Sequence, residues 1–289
     1  MMSRLLALIA LVLSVGCGSA GRPAGNVQCA WRVCVRHDDT RSGRSYTARN
    51  SEPVPVTVSL GFHTLENLVP VGMDQVEVVI PPRASAVLMR LRKVRPDGPV
   101  GAAARIQIDL GSSTNQADDF VYAVPFGGDE PRELVQGFNG SETHLGSMRY
   151  SLDFAMPEGT PILAAREGQV LLVQDGFTEG GVDPALLERA NLVVVAHSDG
   201  SMASYGHLHR GVRVRVGQRV REGQLLGYSG HTGFAGQPHL HFHVGNRMLG
   251  EPGRTIPIEM RDGGGNRVDL TVGTLVEPAH PMMRTPSER

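Results

Sequence analysis

His239-Leu240-His241-Phe242-His243-Val244 alternates an imidazole with an apolar side chain at every step. Successive side chains on a strand point to opposite faces, so this stretch predicts a strand with two unlike sides. Leu240, Phe242 and Val244 share the side that packs on a core. His239, His241 and His243 share the other, with imidazoles about 6–7 Å apart by strand rise. That spacing lets one imidazole bind a metal while its neighbour reaches water at that metal.

Working outward, Tyr205-Gly206-His207-Leu208-His209 closes a second predicted strand, in which polar side chains again alternate with small or apolar ones. Asp153 interrupts the apolar run Tyr150-Ser151-Leu152-Asp153-Phe154-Ala155. A carboxylate there is costly unless it is paired or bound to a metal. His144 precedes it in the same segment. Two His and one carboxylate leave a fourth zinc position open, as in catalytic rather than closed structural sites. Further strands are expected at 161–165, 169–173, 192–197, 202–207, 213–216 and 225–229. A short helix is expected over 183–190, with Asp183 as its cap and Pro184 in its first turn.

With these segments in order, the chain resembles the lysostaphin/LytM-type zinc endopeptidases of bacterial cell walls. The resemblance rests on His144, on Asp153-Phe154-Ala155-Met156-Pro157-Glu158-Gly159-Thr160-Pro161 and on Ala164-Ala165-Arg166-Glu167-Gly168. It continues through His197-Ser198-Asp199-Gly200, Tyr205-Gly206-His207-Leu208, Val216-Gly217-Gln218-Arg219-Val220, Gly230-His231-Thr232-Gly233 and Pro238-His239-Leu240-His241-Phe242. It spans roughly 137–258, and so ordered a set is far more specific than an isolated His-x-His. The resemblance implies one Zn2+ ion held by His144, Asp153 and His241. It implies His239 as general base or orienter of the attacking water, His207 as stabiliser of the oxyanion, and Tyr205 as an assisting group. The implied activity is that of a zinc metalloendopeptidase, a hydrolase of peptide bonds in peptidoglycan stems or cross-bridges. The alternative is a non-catalytic protein of the same fold that binds peptidoglycan or activates a cell-wall amidase. Three departures stand out. His144 lies nine residues before Asp153, where many relatives have four, Gln237 separates Gly236 from Pro238, and His243 stands where relatives commonly have Glu.

The first half of the chain has another character. Runs at 54–60, 76–80, 86–91, 106–110 and 120–124 are short, β-type and separated by turn residues, which suggests a small β-sandwich. His37 and His63 read as surface or packing residues. Among 289 residues the aromatic content is only 5% while glycine numbers 36, a balance that suits turn-rich β structure. The expected fold is therefore mostly β: a β-sandwich-like domain over 27–130, then a LytM-type antiparallel β peptidase domain over 131–262. Residues 263–289 form a C-terminal extension with a disordered end. The formal net charge of -1 provides no basic field for nucleic acid or an anionic membrane, so no nucleic-acid partner is expected.

The N-terminus reads as an export signal over 1–17. Arg4 supplies the positive end and the apolar run from Leu5 to Val15 is too short to span a bilayer comfortably. Ser14-Val15-Gly16-Cys17 resembles a lipoprotein cleavage box, with Ser14 where a larger apolar residue usually stands. Cys17 is thus the expected lipidation site and membrane anchor, followed by a flexible tether over 18–26. The expected location is the cell envelope or periplasm, with peptidoglycan as partner. For Cys29 and Cys34, a short-loop disulfide and two buried thiols are both open readings.

Overall fold

The computed structural model describes residues 26–112, 119–246 and 255–279. The export signal, Cys17, most of the tether and the last ten residues lie outside the described residues. The chain divides into two compact units, with the division after Ser113.

The first unit holds two antiparallel sheets. One has five strands in the order Val27–Ala30, Val33–Thr40, Gly43–Asn50, Ser85–Lys93 and Leu68–Pro70. The other has three, Val76–Ile80, Val56–Glu66 and Gly101–Leu110. Alternation buries one face of each: Tyr46, Ala48, Met89 and Leu91 from the first, and Val56, Val58, Leu60 and Leu110 from the second. The Tyr46 ring meets Phe62 of the opposite sheet edge-on at 5.4 Å. The expected sandwich is therefore present. Cys29 and Cys34 face each other across the first hairpin and form a disulfide.

The second unit is built on an eight-stranded sheet. Its order is Arg219–Val220, Gly168–Gln174, Leu192–Ala196, Met202–Gly206, His239–Gly245, Leu152–Ala155, Arg132–Gln136 and Leu275–Val276. Leu240, Phe242 and Val244 are fully buried, as the alternation of the opening hexapeptide requires. They join Leu152, Phe154 and Tyr205 in one core. The small antiparallel pair Pro161–Leu163 and Leu225–Tyr228 adds Ile162 and Leu226 to the same core.

Four expectations need correction. The run at 120–124 belongs to the second unit, not the sandwich: Val121–Ala123 pairs in parallel with Glu259–Arg261, and Tyr122, Val124 and Phe126 are buried in that core. The segment past 262 is not merely an extension. Leu275–Val276 covers the open edge of Arg132–Gln136, and Val276 is buried. The helix over 183–190 is only a single 3-10 turn, Pro184–Leu186, although Asp183 does cap it by accepting from the Ala185 amide at 2.9 Å. None of its residues is buried, and packing of an apolar face is what sustains a longer helix. The strand over 213–216 is absent; its chain turns at Gly217, whose φ is +85°, and Val216 is exposed.

Candidate metal centre

The site is one transverse row of the large sheet. Gln136 pairs with Asp153, Asp153 with His241, and His241 with Gly206 on successive strands. Residues opposite one another across a sheet project to the same side, so the row gathers its polar groups on the face away from the core. Core residues flank it: Leu152 and Phe154 pair with Phe242 and Leu240. At Gly206 a Cβ would make only ordinary contact with the His241 side chain and backbone, at 3.5–3.8 Å.

His144, Asp153 and His241 bring one ligand atom each to within 4.8 Å of one another. Asp153 is the hub. His241 Nδ1 lies 2.8 Å from its Oδ1, His144 Nε2 lies 3.1 Å from its Oδ2, and Gln136 Nε2 donates to Oδ2 at 2.7 Å. Burial alone would raise the Asp153 pKa, but hydrogen bonds from His144 and His241 and the charge of His241 and His239 outweigh it. The carboxyl is held far below its ordinary range.

His144 has no solvent exposure. Its Nδ1 lies 2.9 Å from the Gly137 carbonyl, which can only accept, so Nδ1 carries the proton. In a neutral ring that leaves Nε2 with a lone pair, buried, without a hydrogen-bond partner and 3.1 Å from a carboxylate oxygen. Acceptor against acceptor requires a cation between them: a proton, or a metal ion. Burial pulls the His144 pKa down, yet the hydrogen bond and charge of Asp153, with backbone carbonyls, leave it raised. Two imidazole nitrogens and a carboxylate oxygen are a donor set that suits zinc.

His207 and His239 sit beside this trio. Their ring centres lie 4.5 Å apart with the planes tilted by 48°, and His207 lies 6.0 Å from the His241 ring. Each is held by a backbone carbonyl: His207 Nδ1 donates to Thr232 at 2.7 Å and His239 Nδ1 to Gln237 at 2.8 Å. Both therefore keep Nε2 free of a proton when neutral. Burial, then the charges of His239 and His241, pulls His207 down to about 3. Burial lowers His239 as well.

His207 reaches the site by an irregularity. Tyr205 pairs with Phe242 and Gly206 with His241, so a continued strand would turn His207 toward the core. The strand ends at Gly206, and His207 takes a left-handed backbone with φ of 60°. Such a conformation is uncommon for a non-glycine residue and clusters at functional sites.

Tyr205 must be removed from the expected site. It is fully buried on the core side, its ring 5.2 Å from Phe242, and its hydroxyl accepts from the Ala165 amide at 2.9 Å. His243 touches the trio from behind His241. Its Nδ1 is 3.2 Å from His241 Nε2, and burial, with the charges of His241 and His144, pulls it down to about 3. Gln136 escaped sequence reading altogether. His197 stays outside, its Nδ1 donating to the Glu167 carbonyl at 2.8 Å.

Two imidazoles and a carboxylate gathered on a sheet face, with two further imidazoles beside them, are the makings of a metallopeptidase centre. Residues 147–252 match the model of Peptidase family M23, so the second unit carries a family M23 peptidase domain of the lysostaphin/LytM type. The matched span opens just past His144, whose place in the trio rests on the geometry above. The chain is 38% identical over 98 residues to Glycyl-glycine endopeptidase ALE-1 of Staphylococcus capitis, covering 34% of this chain and 24% of that protein. It is 37% identical over 115 residues to Peptidoglycan DD-endopeptidase ShyA of Vibrio cholerae serotype O1, covering 40% and 23%. The chain thus spans about a quarter of the length of these curated relatives. Among solved structures, the catalytic domain of the prophage-encoded M23 protein EnpA from Enterococcus faecalis aligns at 28% identity with a TM-score of 0.35. That alignment covers 47% of this chain and 94% of the other.

Proposed function

We propose that this protein is a zinc-dependent endopeptidase that hydrolyses peptide bonds in peptidoglycan stems or cross-bridges. The observation that carries the reading is the convergence of His144 Nε2, Asp153 and His241 Nδ1 on one small space, with His144 Nε2 buried, lacking a hydrogen-bond partner and 3.1 Å from the carboxylate. One Zn2+ ion held there would act as a Lewis acid on the scissile carbonyl and activate water. His239 then takes a proton from the attacking water through Nε2, the atom that its bond to Gln237 leaves unprotonated. His207, kept neutral by burial with its Nδ1 proton held on the Thr232 carbonyl, accepts a proton at Nε2, and only then can it donate from Nε2 to the developing oxyanion. His243 accepts the His241 Nε2 proton, which leaves His241 Nδ1 as the ligand nitrogen. Thr232, whose carbonyl holds His207, also lines a recess with Glu158, Phe177 and Arg210 that offers a wall for a peptide chain.

Relatives named as peptidoglycan and glycyl-glycine endopeptidases support the substrate class. The N-terminal signal reading adds export to the cell envelope or periplasm, with anchorage through a lipidated Cys17. The test is digestion of purified peptidoglycan sacculi, with mass spectrometry of the released muropeptides and a chelated control. Cleaved peptide bonds that vanish with chelator and return with Zn2+ are expected. Stoichiometric metal without any cleavage would favour the binding or amidase-activating role instead.

A further inference from the structure

His144 reaches Asp153 from a loop longer than the four-residue spacing of many relatives, and something must hold that loop in place. The strand Arg132–Gln136 carries a register shift against Leu152–Ala155: Leu134 pairs with Phe154, but Gln136, not Val135, pairs with Asp153. Regular pairing would set Val135 opposite Asp153. The extra residue makes a bulge, a device that re-aims a side chain. Leu134 stays fully buried, Val135 is turned out at 43% exposure, and Gln136 is swung to the site.

There the Gln136 amide uses both ends. Nε2 donates to Asp153 Oδ2 at 2.7 Å and to Thr143 Oγ1 at 2.8 Å. Oε1 accepts from the backbone amides of Glu142 and Thr143 at 3.2 and 3.3 Å. Thr143 is the residue before His144. The loop also closes over this side chain at Gly140, where a Cβ would stand 2.4 Å from Gln136 Cγ and 2.8 Å from Oε1. Only glycine fits so close an approach.

We infer that Gln136 is a positioning residue for the metal centre, one amide that ties the extended 137–145 loop to the carboxylate and so delivers His144 Nε2 to the metal. The inference rests on the metal reading above. Its donor end fixes which Asp153 oxygen His144 meets, and its acceptor end fixes the backbone just before His144. Neither glutamate nor methionine can replace both ends, since glutamate offers no donor when ionised and methionine no strong acceptor.

The test compares wild type, Gln136→Met, Gly140→Ala, His144→Ala and the double variant His144→Ala/Gln136→Met. Zn2+ affinity is read by competition with a chromophoric chelator, and the ligand set by the visible absorption of the Co2+-loaded protein. Gln136→Met and Gly140→Ala should each weaken Zn2+ binding by about 10–100-fold. Their Co2+ spectra should move toward that of His144→Ala. In the His144→Ala background, Gln136→Met should cost much less, because the loop then has no ligand to deliver. Equal losses in both backgrounds, or a wild-type spectrum in Gln136→Met, overturn the inference. Hydrogen exchange in metal-free protein reads the tie on its own: the Glu142 and Thr143 amides should exchange faster in Gln136→Met, and unchanged exchange also overturns it. A wild-type chain that binds neither ion would instead defeat the metal reading, while the exchange result still judges the tie.

Discussion

His239 and His241 are two residues apart on one face of one strand, yet their removal should have opposite consequences. His241 Nδ1 approaches Asp153 Oδ1 to 2.8 Å, whereas His239 Nε2 stays 3.8 Å from the same oxygen. His239 is thus outside the ligand trio and tied to Gln237 through its other nitrogen. His239→Ala should leave one Zn2+ per chain and an intact fold. It removes the proton acceptor, and general acid–base catalysis contributes about 10²- to 10⁴-fold, or roughly 3–5 kcal/mol of barrier. His241→Ala removes a ligand and one of the two imidazoles that hold Asp153 ionised, so both metal and turnover should go. The assay is metal content by plasma mass spectrometry beside initial rates on sacculi, each normalised to folded protein. The reasoning fails if His239→Ala loses metal in step with activity, or digests peptidoglycan at the wild-type rate.

Other outcomes follow from the same geometry. In metal-free protein, burial holds His207 and His243 near 3 against 6.5 in the unfolded chain, and lowers His239 too. The unfolded chain then binds more protons between those values, so stability should fall as pH drops through that window, by up to about 1.4 kcal/mol per pH unit for each histidine. The raised His144 opposes this, its contribution being full below 6.5 and lost as pH rises through its folded value. A denaturant midpoint no lower at pH 5 than at pH 7 would contradict the net sign. Tyr205→Phe strands the buried Ala165 amide and should cost about 1–3 kcal/mol in chemical denaturation, with unchanged hydrolysis per folded, metal-loaded molecule. A large fall in kcat would restore Tyr205 to the site. His243→Phe keeps a ring but no acceptor for His241 Nε2, and should weaken Zn2+ binding by about 10–100-fold in chelator competition. Unaltered affinity would remove His243 from the centre.

The strand period carried much of this protein into view from its residues alone. An alternation of two fixes which face of 239–244 is buried, and the structure buries Leu240, Phe242 and Val244 completely. An acid amid apolar neighbours marked Asp153 for the same reason, since a carboxylate there needs partners, and it has them. The sandwich strands were legible from their turns and β-branched runs. Pairing was not: Val121–Ala123 and Leu275–Val276 join partners more than a hundred residues away, and no local pattern records which edge needs covering.

Tertiary structure decided the remaining site residues wherever the regular period breaks. His207 and Tyr205 share one parity in the sequence, but a left-handed backbone at His207 sends one to the metal face and leaves the other in the core. A bulged residue brings Gln136 rather than Val135 opposite Asp153. His144, in a loop with no period at all, comes to lie beside Asp153 because hydrogen bonds to Gly137 and to the re-aimed Gln136 side chain fold that loop back onto the sheet. Periodic sequence thus determined faces, because strand geometry alone links neighbours at fixed spacing. Strand ends, bulges and loops depend on contacts from distant segments, and only the folded chain supplies them.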